Sequence, residues 1–277
     1  MIETKNDRFF SIIFATNMAI ATLLTDFGYR DPYLAMAKGK LLSGVPNIQV
    51  IDISHDAAIT SDEMIGSYML RNVVPQFPKG TIHIISVNAN MDYGSRYVAF
   101  EHKGHYFIGA DSGIFYMCFG EHPARVYDIT SYSKSFTTFP LMDIFVPVAI
   151  DISKGKKMED LGTVEIKLVE KTMFYPTVEP SRIVGSILYI DVYGNLITNI
   201  SRNLFEKTRN GRHFRIYVRS ITYSVTKISN NYNEVIEGEM VGIFNYSGLI
   251  EIAMHNANCA KMLGVEVRSS IVVEFTD

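Results

Sequence analysis

The sequence predicts an α/β amino-terminal domain with a mostly parallel sheet, followed by a smaller all-β, barrel-like carboxyl-terminal domain. Three observations carry this. Short β-rich runs alternate with helical ones from Ala19 to about Ile152, the pattern of βαβ units. Composition shifts over 171–182, where "KTMFYPTVEPSR" carries two prolines and no clean period. After that stretch, strand-like runs recur between turn signals. The expected organisation is an amino-terminal extension over 1–18, an α/β domain over 19–175 and a β-barrel domain over 176–277.

Each element has its own signal. "IATLL" reads as the first strand and Asp31 to Leu42 as the helix after it. "NIQVIDIS" (47–54) is the second strand. Thr60-Ser61-Asp62-Glu63 fits a capping box, and Met64, Ile65, Tyr68, Met69 and Val73 then form one apolar helical face. "TIHIISVN" (81–88) is the third strand, and "RYVAFEHKGHYFIGA" (96–110) a hairpin turning at Lys103-Gly104. A helix over Met142 to Ile152 follows the loop "SYSKSFTTFP". In the second half, "RIVGSILYIDVYGN", "HFRIYVRSITYSV", "EMVGIFNYSG" and "SSIVVEF" read as strands, with one short helix from Asn256 to Leu263 ended by Gly264.

The 277 residues are 47% hydrophobic with a net charge of −3, and acids and bases are mixed along the chain. No basic face for nucleic acid and no polybasic membrane anchor stands out, so small molecules are the expected partners. Cys118 and Cys259 are far apart, which argues against a disulfide framework or a four-thiolate zinc site and suits a reducing cytoplasm. Phe9 to Leu24 is apolar after Lys5 and Arg8, but it runs into "TLLTDFG" without a cleavage site, so residues 1–17 read as a loose extension. No span reaches transmembrane length.

The stretch "ATLLTDFGYRDPY" poses the functional question, because an apolar run ends in two acids, a glycine and a proline. One reading is a turn: Asp26 opens it, Gly28 supplies a positive φ and Asp31-Pro32 caps the next helix. The other is a ligand site, since ligands of open α/β sheets sit at the carboxyl ends of strands. No Gly-rich phosphate cradle and no G-x-S-x-G elbow is present. His102 and His105 flank a two-residue turn and read as solvated hairpin residues, and no metal site is expected. What remains is a set of strand-end carboxylates and amides: Asp26, Asp31, Asn88, Asp111, Asp191, Asn195 and Asn199. Singly each is a turn or cap residue; together they suit a ligand with hydroxyls, an amine and a flat ring.

The blocks "TLLTDFGYRDPYLAMAKG", "VIDISHDA", "FPKGTIHIISVN", "IGADSGIF", "TFPLMDIFVPVA", "YIDVYGNLITNI" and "NYSGLIEIAMHNANCAKMLG" resemble, in order, the motifs of the S-adenosyl-L-methionine (SAM) hydroxide adenosyltransferases, relatives of the fluorinases and chlorinases. The resemblance runs from about Ala19 to the carboxyl terminus. It implies a homotrimer whose sites lie between the amino-terminal domain of one subunit and the carboxyl-terminal domain of the next. SAM or adenosine is the implied ligand, no cofactor is called for, and the implied chemistry is displacement at the ribose 5′ carbon, giving adenosine and methionine when water attacks. It further implies that Asp26 binds the ribose diol, Asp31 lies near the methionine moiety, Asp191 faces its amine and Asn195 reads adenine. Tyr232 aligns with an aromatic that stacks on the base, and Asn245 to Ser247 and Met254 to Asn256 fall in segments that close the pocket.

The sequence also departs from the family. Members that transfer hydroxide resemble one another in an Asp–Arg–His set, the acid opening a "DPGVGTxRR" block and the histidine an "HGRD" block. Here "NANMDYGSR" puts Asn88 in place of the acid and Ser95 in place of the arginine, with Arg96 one place on, and "PLMD" puts Pro140 in place of the histidine. An amide and a hydroxyl hold water but do not ionise near neutrality. Leu141-Met142 offers no hydroxyl for a halide pocket. Asn88, Ser95 and Arg96 are the candidate catalytic residues, with Asp92 and His55 as possible substitutes. Three readings follow: an altered SAM-cleaving enzyme, a non-catalytic SAM or adenosine sensor, and a trimer kept as a scaffold.

Overall fold

The computed structural model describes residues 18–56, 63–89, 96–133, 137–164 and 167–277. Most of the expected capping box (Thr60-Ser61-Asp62), Asp92, Ser95 and the extension up to residue 17 lie outside the described residues. The chain sorts into two compact units. One holds the described residues up to Asp56, with those of Phe77–Ser112 and Pro123–Lys167; the other holds those of Asp62–Gln76, Gly113–His122 and Leu168–Asp277. The described helices are α1 (Tyr33–Gly44), α2 (Glu63–Val73), α3 (Ile114–Phe119), α4 (Val146–Ser153), α5 (Arg202–Arg209) and α6 (Cys259–Leu263). None is long and apolar enough to cross a membrane.

The first unit is built on β1 (Ile20–Thr25), β2 (Gln49–Ser54), β3 (Ile82–Ser86), β4 (Tyr97–His102), β5 (His105–Ala110), β6 (Val126–Asp128) and β7 (Thr163–Val164), in the order β2-β1-β3-β5-β4-β6-β7. β1 runs parallel to β2 and β3, and β3 to β5, while β4, β6 and β7 add antiparallel pairs. A parallel core strand is covered on both faces and therefore reads as a continuous apolar run. Every residue of β3 and all but the first of β1 are buried. Leu23, Leu41, Ile84, Ile108, Phe145 and Ala149 fill the centre of this core.

Buried polar side chains, His83 and His105 among them, interrupt it. His83 on β3 meets the Thr22 hydroxyl at 2.7 Å through Nδ1 and stacks on Phe107, while its Nε2 lies 3.3 Å from Nδ1 of His105. Burial, reinforced by His105, pushes the His83 pKa down to about 3, so the ring is neutral in the fold. His105 is itself buried, which corrects its reading as a solvated hairpin residue: β5 packs it beside β3. The turn between β4 and β5 is as expected, with Lys103 and Gly104 both at positive φ.

Other boundaries differ for identifiable reasons. α1 begins at Tyr33 with Pro32 at its cap and no side-chain capping bond, so Asp31 does not cap it. The helix expected over 142–152 is split into a wide π turn over Leu141–Phe145 and then α4. Pro147 has no N–H for the carbonyl four residues back, and the regular helix is established only around it. On α2 the fully covered residues are Met64, Ile65, Gly66, Ser67 and Leu70, with Tyr68, Met69 and Val73 half-buried. The small Gly66 and Ser67 suit the close approach of α3, and this turns the buried stripe toward Leu70.

The second unit is built on β8 (Thr177–Glu179), β9 (Arg182–Ile190), β10 (Leu196–Ser201), β11 (His213–Val218), β12 (Ser220–Val225), β13 (Ile228–Ser229), β14 (Met240–Phe244), β15 (Leu249–Met254) and β16 (Ser270–Thr276). The order is β12-β11-β16-β9-β10-β15-β14-β13, with β8 on β9, and only β13–β14 is parallel. The sheet curls until β12 lies against β14, giving the expected near-barrel. Ile187, Leu196, Phe205, Ile216, Ile250 and Ile271 fill it. α5 was not expected beside the single helix foreseen here. Its sequence "RNLFEKTR" buries only Phe205, too little for an apolar period, and its start is fixed instead by Ser201, whose hydroxyl accepts the Leu204 N–H. α2 and α3 belong to this unit, where Met64, Met117 and Leu188 pack together.

Candidate functional site

In the first unit the candidate residues gather at the carboxyl ends of parallel strands. β1 delivers Asp26, and the chain leaving β3 delivers Asn88 at φ 47, so that the Asn88 backbone N–H donates to Asp26 Oδ2 at 2.7 Å. Burial raises the Asp26 pKa, partly opposed by that N–H and by the residue's own amide. An ionised carboxylate has about four lone-pair sites, so one amide leaves capacity for further donors. Gly28 at φ +67 turns the chain and donates its N–H to the His55 carbonyl at 2.7 Å. His55 is a core residue, its Nδ1 2.8 Å from the Thr25 hydroxyl and its Nε2 3.1 Å from Asp52 without hydrogen-bonding alignment. Phe27, Tyr33 and Phe139 meet edge to face beside Pro140, with centroids 5.4 to 5.8 Å apart. Asp31 is exposed.

Arg96 has a different setting. Its Nε donates to Asp111 Oδ2 at 2.8 Å and its terminal nitrogen to the Lys167 carbonyl, so the guanidinium neutralises a carboxylate whose side chain is fully buried. Asp111 is thereby a structural ion-pair partner. Asn199 is likewise engaged, accepting the Ser186 N–H and donating to the Phe174 carbonyl.

In the second unit a pocket of about 590 Å³ is lined by Asp191, Tyr193, Asn195, Tyr232, Asn233 and the segment Met254 to Asn258. It brings together Asp191, Asn195, Tyr232 and Met254 to Asn256. Asp191 leaves β9 and closes its own turn: Oδ1 accepts the N–H groups of Tyr193 and Asn195, and Oδ2 accepts the Asn195 side-chain amide at 3.0 Å. Gly194, at φ +88, lets the turn lie against Asn258, the residue that caps α6. His255 is held by its Nδ1, 2.7 Å from the Val235 carbonyl, which makes that nitrogen the protonated one.

Asn245 and Ser247 form the turn between β14 and β15. Asn245 Oδ1 accepts the N–H groups of Ser247 and Leu249, and the Ser247 hydroxyl donates to Asn72. Beneath the pocket lies Glu251, which the sequence reading missed. It is 4% exposed, and its Oε1 accepts the Tyr232 hydroxyl at 2.7 Å. Burial raises the Glu251 pKa, opposed by Tyr232 and Asn245; burial and Glu251 together hold the Tyr232 hydroxyl protonated far above the ordinary range. The available signal was an acid inside the apolar run "LIEIAM". Another cavity, of about 610 Å³, opens around the β4–β5 turn between Glu101, Lys103, Arg125, Lys156 and Glu159. It contains none of the motif residues, and Arg125 and Lys156 already have carboxylate partners.

Comparison with known proteins bears on both halves. The family described as the SAM hydroxide adenosyltransferase N-terminal domain matches residues 21–162, and its C-terminal counterpart matches residues 185–272. The chain belongs to the SAM hydroxide adenosyltransferase family. Within this family it is similar to a protein of Thermus thermophilus named (R)-S-adenosyl-L-methionine hydrolase, 26% identical over 256 residues, covering 88% of this chain and 94% of the relative. A protein of Methanocaldococcus jannaschii with the same name is 25% identical over 272 residues, covering 92% and 95%. Among solved structures, an uncharacterised conserved protein of Thermotoga maritima superposes with a TM-score of 0.81 at 25% identity, covering 92% of this chain and 99% of that one. Both strand-end clusters of this family member, around Asp26 and around Asp191, lie inside the matched segments.

Proposed function

We propose that this protein hydrolyses SAM to adenosine and L-methionine by attack of water on the ribose 5′ carbon. The observation that carries the reading is the pocket lined together by Asp191, Asn195 and Tyr232, because an acid, an amide and an aromatic ring suit an amine and a purine. The two relatives named (R)-S-adenosyl-L-methionine hydrolase, each aligned over most of both chains, support the same reaction. In the step itself the water oxygen bonds to C5′ as the C5′–S bond breaks. The bonding pair leaves on sulfur, turning the sulfonium into a neutral thioether, and the water gives up a proton to solvent. No acid is needed for such a leaving group, so aligned attack supplies much of the acceleration.

In this reading Asp26 takes the ribose diol, its carboxylate already oriented by the Asn88 N–H. Asp31 lies toward the methionine moiety, Asp191 faces its amine, Asn195 reads the base and Tyr232 stacks on it, with Asn245 and Ser247 shaping the closing turn. Asn88 holds the attacking water near the same strand ends, and Ser95 and Arg96 are the further catalytic candidates, the Arg96 guanidinium being engaged by Asp111. The reaction runs in the cytoplasm, without a cofactor, in a homotrimer. The gap between the two family matches, from 162 to 185, supports a domain division near residue 175.

The test is incubation of purified protein with SAM and chromatography for products. Adenosine and methionine should appear in equal amounts, persist after EDTA treatment and fall steeply in Asp26→Ala at SAM concentrations below saturation. Release no faster than the spontaneous background would overturn the hydrolase reading.

A further inference from the structure

The pocket stands on a buried acid that this reaction does not use. Glu251 lies on β15, on the face opposite Ile250 and Ile252 of the barrel core, and is covered on that side by the chain around Tyr232 to Val235. Val235 packs on Val241, Ile243 and Ala253, anchoring the covering segment. Asn231 fixes its start by accepting the Asn233 N–H. Burying a carboxylate costs several kcal/mol as an order of magnitude, and an apolar residue of similar volume commonly serves stability better. Tyr232 is 41% exposed and lines the pocket, while its hydroxyl bonds to buried Glu251.

We propose that Glu251 is a positioning residue for the base subsite: its carboxylate clamps the Tyr232 hydroxyl and so fixes the ring plane on which a purine seats. This rests on the adenosyl reading given above. A tyrosine ring swings about two side-chain torsions, and a bond at its far end removes that freedom before the ligand arrives. The same clamp accounts for a polar group being kept at a covered position of β15. Its effect falls on affinity for the base and leaves the reacting C5′–S bond untouched.

Calorimetry with adenosine and steady-state kinetics with SAM test this in Tyr232→Phe, Glu251→Gln and the double variant. Loss of one charge-assisted hydrogen bond predicts adenosine binding about tenfold weaker in each single variant. The double variant should be no weaker than Tyr232→Phe alone, because both changes remove one interaction. KM for SAM should rise in step with kcat nearly constant, and the melting temperature of Glu251→Gln should not fall. The chain has no tryptophan, so Tyr232→Trp gives a single reporter. Adenosine should quench it, and an unquenched signal would overturn the seating of the purine on this ring. Unaltered adenosine affinity in Glu251→Gln, additive losses in the double variant, or a fall in kcat at constant KM would each overturn the clamp while leaving the adenosyl reading intact. No adenosine binding by the unaltered protein would overturn that reading and the clamp with it.

Discussion

Two turns led by aspartate close two strands of this protein, and they are held by opposite means. After β1, Asp26 is gripped by the backbone of Asn88, which follows β3, and the Gly28 N–H reaches the His55 carbonyl beyond β2. After β9, Asp191 is gripped by its own turn, through Tyr193 and Asn195. A methyl group at Gly28 would meet nothing, whereas one at Gly194 would collide with the Asn258 side chain. The first turn therefore depends on strand neighbours and leaves open space beside its glycine. The second is a self-contained plug locked against α6.

The largest test of this contrast is Gly194→Ala. Positive φ disfavours alanine by about 1 kcal/mol, and displacing Asn258 removes the cap of α6 for about 1 to 2 more. A fall of about 2 to 3 kcal/mol in unfolding free energy is expected in urea titration, and a loss below about 1 would break the picture of a locked plug. Next comes Asp26→Ala, expected to weaken adenosine binding by about 2 to 3 kcal/mol by calorimetry with little change in melting temperature. A variant that melts early but binds normally would reverse the roles assigned to the two acids.

Acid sharpens the same point. Because the folded pKa of Asp26 is raised above 3.8, its own contribution to stability is present below 3.8 and lost as pH rises through the raised value. In the proposed reading the ionised form of Asp26 takes the diol, so adenosine affinity should fall as pH drops through that raised value. Asp26→Asn should bind weakly with no such step; a step that persists there belongs to another group. A smaller effect is expected in Asp191→Ala, about 1 to 2 kcal/mol of stability from the lost turn bonds, with Asp191→Asn recovering part of it. The smallest is Gly28→Ala, about 1 kcal/mol from backbone conformation alone, because the space is open. Thermal melts of the two glycine variants side by side should rank them in this order.

The same contrast explains what the sequence disclosed. The Asp191 turn is local, so "DVYGN" was readable as a turn with an acid, an amide and a glycine at fixed offsets. β1, β3 and the β4–β5 hairpin were likewise legible, since apolar runs and a Lys-Gly turn report themselves. Non-local features were not. That Arg96 serves buried Asp111, that His105 is covered by a neighbouring strand and that Glu251 holds Tyr232 all depend on pairings between separated segments. α5 was hidden because one buried phenylalanine makes no period. The division of α2 and α3 from the first sheet had no compositional trace, because an apolar helix face does not say which sheet it will meet.

That division bears on how the chain is made. Met64 and Met117 pack with Leu188, so two helices leave the ribosome well before the strand that covers them. At ordinary elongation rates the interval is on the order of ten seconds, long compared with helix formation. During it the nascent chain carries the Met64 and Met117 faces without their cover. A fragment ending near residue 175 would be left in that condition permanently. Excising the amino-terminal half for expression therefore invites aggregation, and the shortest usable product of this gene is one that extends through β9 and the barrel built on it.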